Sequence, residues 1–260
     1  KRQGMSTPDE APLVGELRAA VKDEPCSEWA TDAACLRFLR ARKCNVAKAT
    51  LMLRETLRWR KEFGVSSLSD RHEEVRKQSA TGKLRVASCV DCDGRPVLVM
   101  SPRFENDKGN HEGNLLNLVY HLERVTGERR LGGGTGATAS DGKVITVMDF
   151  RGYKLRNAPP MKTARATLSI LQNHYPERLH KFVILHAPVL FYGLFRAISP
   201  FIDPVTKAKI DFVKGSADDQ RAHFAKMFDL EQLDEPLGGN RSFEWDPDAY
   251  FADDLDLPSL

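Results

Sequence analysis

Residues 174–213, HYPERLHKFVILHAPVLFYGLFRAISPFIDPVTKAKIDFV, constrain the fold more than any other part of the chain. Pro176 ends a helix and is followed by the charged Glu177-Arg178 step. Phe182-Val183-Ile184-Leu185 is a short apolar run of the kind that forms a buried strand. Val189 to Ile202 is more apolar still, and a tight Asp203-Pro204 turn follows, with Thr206 and Lys209 just beyond it. Groups able to hold a phosphate thus stand beside a strongly apolar helix, the two things a chain that shelters a lipid requires.

At 260 residues the chain has room for one large domain or a small one plus a medium one. The apolar stretch around Val189–Ile202 contains Arg196 and is shorter than the ~20 residues of a spanning helix. No charged-then-apolar leader opens the sequence, so the expectation is a cytoplasmic protein. The five cysteines, Cys26, Cys35, Cys44, Cys89 and Cys92, are odd in number and irregularly spaced, which fits a reducing compartment better than a disulfide framework. Net charge is only +3 but uneven. Residues 36–62 carry nine Lys or Arg against Glu55 and Glu62, while six acidic residues and no base follow from Glu244. That asymmetry suits an anionic partner near the first segment or a solvated helix face.

The pattern along the chain predicts an α/β fold. Lys1 to Glu10 reads as a flexible tail and 11–64 as an N-terminal helical subdomain. There Leu13, Leu17 and Val21 recur every four residues, and Asp32 is a suitable N-cap for a helix through Leu36 and Leu39. Ala49, Met52, Leu53, Thr56 and Phe63 share a face of a third helix that stops at Gly64. Arg60 lies on that face, so its stem should pack while its head escapes. Residues 65–240 alternate strands with helices. Leu84–Val90 and Arg95–Met100 form a hairpin through Asp93-Gly94, and a helix carries Leu115, Leu118, Val119, Leu122 and Val125. After a glycine-rich loop, Gly132–Gly142, come the strand Val144–Phe150 and a helix opened by Pro159-Pro160, with Met161, Ala164, Leu168 and Leu171 on one side. The strands Phe182–Ala187 and Lys209–Val213 close the domain, and 241–260 is an acidic C-terminal extension.

Few motifs point to catalysis. Cys89 and Arg95 have the bare Cys-x5-Arg spacing of a phosphatase loop. Asp91 and Asp93 within it would repel phosphate, and it leads into a strand rather than a helix. Cys89-x2-Cys92 is half a zinc site with no second half. The glycine run at 132–136 follows a helix and precedes a strand, the reverse of a dinucleotide-binding order. The histidines are scattered; His186, after a buried strand, is either a core histidine or a pocket-lining one. Nothing assembles a nucleophile, a base and an orienting group, so the chain reads as non-enzymatic, without metal or cofactor. The ten apolar residues of Val189–Ile202 cover most of a helix circumference, as in a simply buried helix or one that also faces lipid or a membrane surface.

The pattern Leu36-Arg37-Phe38-Leu39-Arg40-Ala41-Arg42-Lys43, the Trp59-Arg60 step, Tyr175-Pro176-Glu177-Arg178 and Pro200-Phe201-Ile202-Asp203-Pro204-Val205-Thr206-Lys207-Ala208-Lys209-Ile210 together resemble the CRAL-TRIO lipid-binding family, and within it the phosphatidylinositol transfer proteins of fungi and plants. The resemblance covers roughly residues 30–240. It implies a helical subdomain packed on a mixed-sheet domain with a deep apolar lipid pocket. It implies headgroup recognition by Arg42, Lys43, Glu177, Thr206 and Lys209, and a gate helix around Val189–Ile202, with Phe191, Phe195 and Phe201 on its inner or membrane-facing surface. Lys209 and the Thr206 hydroxyl suit a phosphodiester, and Glu177 can accept from inositol hydroxyls or fix a base such as Lys43. One departure concerns a second-ligand pocket at Tyr153, Lys154 and Arg156. Family members that also exchange phosphatidylcholine carry hydroxyl residues where Lys154 and Arg156 stand, and a second cation does not favour choline.

The expectation is therefore a monomeric, peripherally membrane-associated protein that binds and transfers phosphatidylinositol, needing no cofactor and no nucleic acid. The alternatives are the same fold around a sterol, tocopherol-like molecule, retinoid or haem, and a module whose protein interactions are tuned by lipid.

Overall fold

The computed structural model of the chain describes residues 9–127, 141–199, 202 and 204–252. The N-terminal part consists of three helices, α1 (Ala11–Ala20), α2 (Asp32–Ala41) and α3 (Val46–Phe63). Their apolar faces meet in one core of Val14, Leu17, Val21, Leu36, Phe38, Leu39, Met52, Leu53 and Leu57. The cap of α2 is Thr31 rather than Asp32, its hydroxyl accepting from the Ala34 amide at 3.2 Å. Asp32 instead sits in the first turn, where a carboxylate complements the helix dipole. Asn45 caps α3, and Gly64 ends it in the left-handed conformation, at φ 74°, that only glycine adopts without cost.

The second part is a five-stranded sheet in sequence order: β1 (Leu84–Val90), β2 (Pro96–Met100), β3 (Val144–Asp149), β4 (Leu179–Leu185) and β5 (Ile210–Val213). The hairpin pair β1–β2 is antiparallel and the remaining pairs are parallel. Helices α5 (His111–Val125), α6 (Met161–His174) and α7 (Val189–Ile198) make the crossovers, and α4 (His72–Ser79) precedes the sheet. The glycine-rich loop lies outside the described residues apart from Asp141 and Gly142.

Strand alternation separates two faces. One presents Val97, Val99, Ile145, Val147, Val183 and Leu185 and is packed by Phe224 of α9 (Ala217–Phe224) together with Phe228, Leu233 and Leu237, with Val213 of β5 half-buried at its edge. The other presents Leu98, Met100, Thr146, Met148, Phe182, Ile184, Ile210 and Phe212. At the β1–β2 end this second face is covered by α5. Towards β5, Thr146, Met148, Phe182, Ile210 and Phe212 are only half-buried. Along α6 the expected stripe is displayed rather than buried: Met161, Leu168 and Leu171 are exposed, and Thr163 and Ile170 face the core.

Residues 245–251 pack back onto the domain. Trp245 donates its indole N–H to the Ala80 carbonyl at 3.0 Å and lies so near Gly82 that a Cβ there would meet the ring at 2.7 Å. The Tyr250 hydroxyl accepts from the Val86 amide at 2.8 Å, and Phe251 of α10 (Pro247–Phe251) is fully buried beside Tyr120. Among the described residues no helix is long and apolar enough to cross a membrane.

Candidate functional site

Arg42 and Lys43 follow the end of α2 in a tight loop. The Arg42 amide donates to the Leu39 carbonyl at 3.0 Å and the Lys43 amide to that of Arg40 at 3.1 Å. Lys43 (φ 52°) and Cys44 (φ 60°) both take the left-handed conformation, uncommon for residues with a Cβ. Glu177 shares it, at φ 58°, in the turn between α6 and β4. Its flanking residues Tyr175, Pro176 and Arg178 are buried, so the strained position is held from both sides. The Glu177 carboxylate is near enough to the end of α2 to help hold Arg40 in its charged form, together with Glu10, which Arg40 grips through two hydrogen bonds of 2.8 and 2.9 Å. Helix α2, its following loop and the α6–β4 turn therefore converge.

Thr206 lies in α8 (Pro204–Lys207), and its carbonyl accepts from the Lys209 amide at 3.0 Å. The Lys209 carbonyl in turn accepts from Phe182 of β4 at 2.8 Å, which begins the β4–β5 ladder. Because β4 and β5 run parallel, Glu177 and the Thr206–Lys209 segment both stand at the N-terminal ends of neighbouring strands.

A buried ionic cluster fixes this end of the molecule, and the sequence reading missed it. Arg60 does not release its head. Its guanidinium makes two hydrogen bonds of 2.9 Å to Glu123 of α5 and lies 4.2 Å from the Trp29 ring centroid. The Tyr175 hydroxyl donates to the same carboxylate at 2.6 Å. Burial pushes Arg178 down to about 9 and Arg37 down to about 10, while Tyr175 is held well above its usual value by burial and the adjacent Glu123. A lone Arg on an apolar helix face signals such a pairing, but its partner is 63 residues away and no local pattern names it. Trp59 adds a stacked contact with His174 at 4.1 Å, and the Thr56 hydroxyl donates to the Asn173 carbonyl at 3.1 Å, so α3 is clamped to the end of α6.

Tyr153, Lys154 and Arg156 are at the opposite end, beyond the C-terminus of β3. Tyr153 meets Phe150 edge-on at 5.2 Å, whereas Lys154 and Arg156 are exposed. With β3 and β4 parallel, this set is separated from Glu177 by roughly the ~20 Å length of a strand.

Helix α7 lies on the half-buried sheet face through its rings. Phe191 contacts Phe150 at 4.6 Å and Phe212 at 6.4 Å, and Tyr192 and Phe195 reach Phe212 at 5.1 and 5.0 Å. Phe191 and Phe195 thus face inward, while Val189 and Leu190 are 87% and 65% exposed. Phe201 lies outside the described residues, as does Asp203.

The Cys89–Arg95 segment has none of the electrostatics of an anion cradle. Arg95 is spent on Asp91 (3.0 Å), Asp93 (2.6 Å) and Asp141 (3.0 Å), and burial pushes the Cys89 thiol up to about 11.

A helical cap on a mixed sheet, with an apolar helix resting through its rings on one half-buried face, defines a class of α/β protein with a covered apolar face. The CRAL/TRIO domain model matches residues 81–239, and the CRAL/TRIO N-terminal domain model matches residues 5–55. The chain belongs to the CRAL/TRIO family. It is 32% identical over 229 residues to a CRAL-TRIO domain-containing protein of Schizosaccharomyces pombe, covering 88% of this chain and 21% of that protein. It is 31% identical over 245 residues to the phosphatidylinositol transfer protein PDR17 of Saccharomyces cerevisiae, covering 89% of this chain and 65% of that one. The chain thus spans less than two thirds of the length of these two relatives. The crystal structure of Sfh5 superposes with a TM-score of 0.62 at 16% identity, over 80% of this chain and 81% of that one, a likeness of fold.

Proposed function

We propose that this protein binds a phospholipid, with phosphatidylinositol as the preferred ligand, and carries or presents it between membranes. The observation that carries this reading is the asymmetry of the sheet. One face is packed by α9 and its neighbours, while the other keeps Thr146, Met148, Phe182, Ile210 and Phe212 half-buried, with the rings of α7 resting on Phe212. A packed interior leaves few voids, so an apolar floor with a loosely held roof is what acyl chains would occupy. Each methylene buried there contributes about 0.8 kcal/mol, which makes the chains the driving force for extraction. The headgroup is read by Arg42, Lys43, Glu177, Thr206 and Lys209; what supports this is that Glu177 approaches the end of α2, and that it and the Thr206–Lys209 segment precede the neighbouring strands β4 and β5. The membership of a family that includes a named phosphatidylinositol transfer protein supports the same ligand. Helix α7 is the gate, its inner rings resting on Phe212 and its outer Val189 and Leu190 offered to a membrane surface.

The test is to extract the lipid that co-purifies with the protein, identify it by mass spectrometry, and measure transfer of labelled phosphatidylinositol between vesicles. Phosphatidylinositol in the extract and saturable transfer are expected. A sterol, tocopherol-like molecule, retinoid or haem in its place, with no phospholipid transfer, overturns the assignment.

A further inference from the structure

The crossovers after β2, β3 and β4 lie on the half-buried sheet face, since α5 and α6 contribute to its core and the rings of α7 rest on Phe212. The chain leaving β5 goes to the other face, where Phe224 of α9 is buried. Neighbouring parallel strands whose connections depart to opposite faces leave a crevice beyond their carboxyl ends, the place where open α/β sheets bind small ligands. Here that crevice is a cavity of about 210 Å³ lined by His186, Ala187, Tyr192, Val213, Lys214, Gly215, Ser216 and Gln220. It is below the ~300–1,000 Å³ of pockets for drug-sized ligands. It is also at the far end of the strands from Glu177 and Lys209, and none of the headgroup residues lines it.

Its polar groups are built for a ligand. Gln220 is 7% exposed, and its carboxamide makes no hydrogen bond to the protein. Neither of its polar side-chain atoms is sealed from solvent, so the carboxamide is available to a molecule in the cavity. Lys214 has no ion-pair partner among the described residues; its ammonium lies 4.7 Å from the Tyr192 ring centroid, above the root of α7. His186 sits in the left-handed region, at φ 53°, and its Nδ1 is held 3.0 Å from Asp149, which leaves Nε2 uncommitted. The two nearby carboxylates are already engaged. Asp149 accepts from the Arg151 amide at 2.9 Å and pairs with its guanidinium at 3.4 Å. Asp219 accepts from the Ser216 amide and hydroxyl at 2.7 and 2.8 Å, capping α9.

We propose that this crevice binds a phosphate-sized oxyanion, with Lys214 as its counter-charge, the Gln220 amide as a donor and His186 Nε2 as a third contact. Such a ligand joins the root of α7 to the start of α9. Resting on the reading of α7 as a gate, its occupancy holds the gate closed. The anion's source is either a free phosphate compound or the phosphate of a membrane lipid.

The full chain would be titrated with inorganic phosphate, with sodium chloride at matched ionic strength as control, while following its melting temperature. A parallel arm would measure binding to phosphatidylcholine vesicles with and without phosphatidic acid. Each measurement would be repeated on Lys214→Gln and Gln220→Leu, and on Gln220→Glu, which keeps the shape but repels an anion, in case Gln220→Leu fails to fold. A saturable rise with phosphate, weakened at least tenfold in the variants, supports a soluble ligand. Binding seen only with phosphatidic acid, and equally weakened in the variants, supports a lipid headgroup. No saturable response in either arm, or one the variants leave unchanged, overturns the site. Lipid transfer by the unmodified protein, measured alongside, reports on the proposed function independently of that result.

Discussion

The hold of the sheet on α7 can be tested at Phe212. This ring contacts Phe191, Tyr192 and Phe195 and is a hub of the described attachment between β5 and the helix. Aromatic pairs contribute about 0.5–1.5 kcal/mol each beyond area burial, and at half-buried positions the lower part of that range applies, so three contacts come to about 1.5–3 kcal/mol. Phe212→Ala should therefore shift the opening equilibrium of α7 by about ten- to a hundredfold, at 1.4 kcal/mol per factor of ten. Native-state hydrogen exchange measures this directly, because local opening is read residue by residue. Amides of α7 should exchange faster by that factor, while those of β3 and α5, which among the described residues make no ring contact with Phe212, should keep their protection. Transfer of phosphatidylinositol between vesicles should accelerate wherever gate opening limits it, and Phe212→Leu should fall between the two. If exchange rises uniformly through sheet and helices, Phe212 is an ordinary core residue. If α7 is unchanged, its attachment lies elsewhere. Either result refutes the reasoning.

Other outcomes follow from the same geometry. Lys209→Ala should reduce phosphatidylinositol transfer sharply with the melting temperature unchanged, and retained transfer would remove Lys209 from the headgroup set. Phosphatidylcholine transfer by the native protein should be weak, and replacing Lys154 and Arg156 with Ser and Thr should raise it; robust native transfer would show those positions to be permissive. Leu190→Asp, at an exposed position, should weaken liposome binding without unfolding, whereas Phe195→Asp should lower the melting temperature because its ring rests on Phe212. Burial lowers His121 to about 3 and His174 to about 4, the latter helped by Arg60, so both stay neutral in the fold while the unfolded chain protonates near pH 6.5. Stability is then fully present above that pH and is lost as pH falls from about 6.5 towards 4, by at most about 1.4 kcal/mol per pH unit per histidine. Melting curves from pH 7.5 to 4.5 on the native protein and on His174→Gln should show a shallower loss for the variant.

Periodicity and punctuation determine most of the architecture here, because each element carries its own local signal. Gly64 stops α3, Asp93-Gly94 turns the hairpin, and Pro160 opens α6. Local signals fail where burial is decided by a distant partner. The apolar pattern of α3 cannot reveal whether Arg60 reaches water or a carboxylate on α5; Glu123 decides it, and no rule of spacing links the two. The stripe of Met161, Leu168 and Leu171 has the mark of a core face, yet it is exposed, because an apolar pattern along a helix does not record whether a neighbour covers it.

The candidate site divides the same way. The positions of Thr206 and Lys209, proposed for the headgroup, are legible because each stands close in sequence to the helix or strand that places it. Glu177 is legible as a residue type, but its left-handed backbone is set by Tyr175 and Arg178, whose burial depends on α2, α3 and α5. The crevice at the ends of β4 and β5 has no sequence signature at all. Lys214, Ser216 and Gln220 follow one strand and His186 follows another, and only the departure of α7 and α9 to opposite faces brings them to one cavity. Sites built at a change of topology are invisible to motif and period, so they have to be sought in how the chain crosses its own sheet.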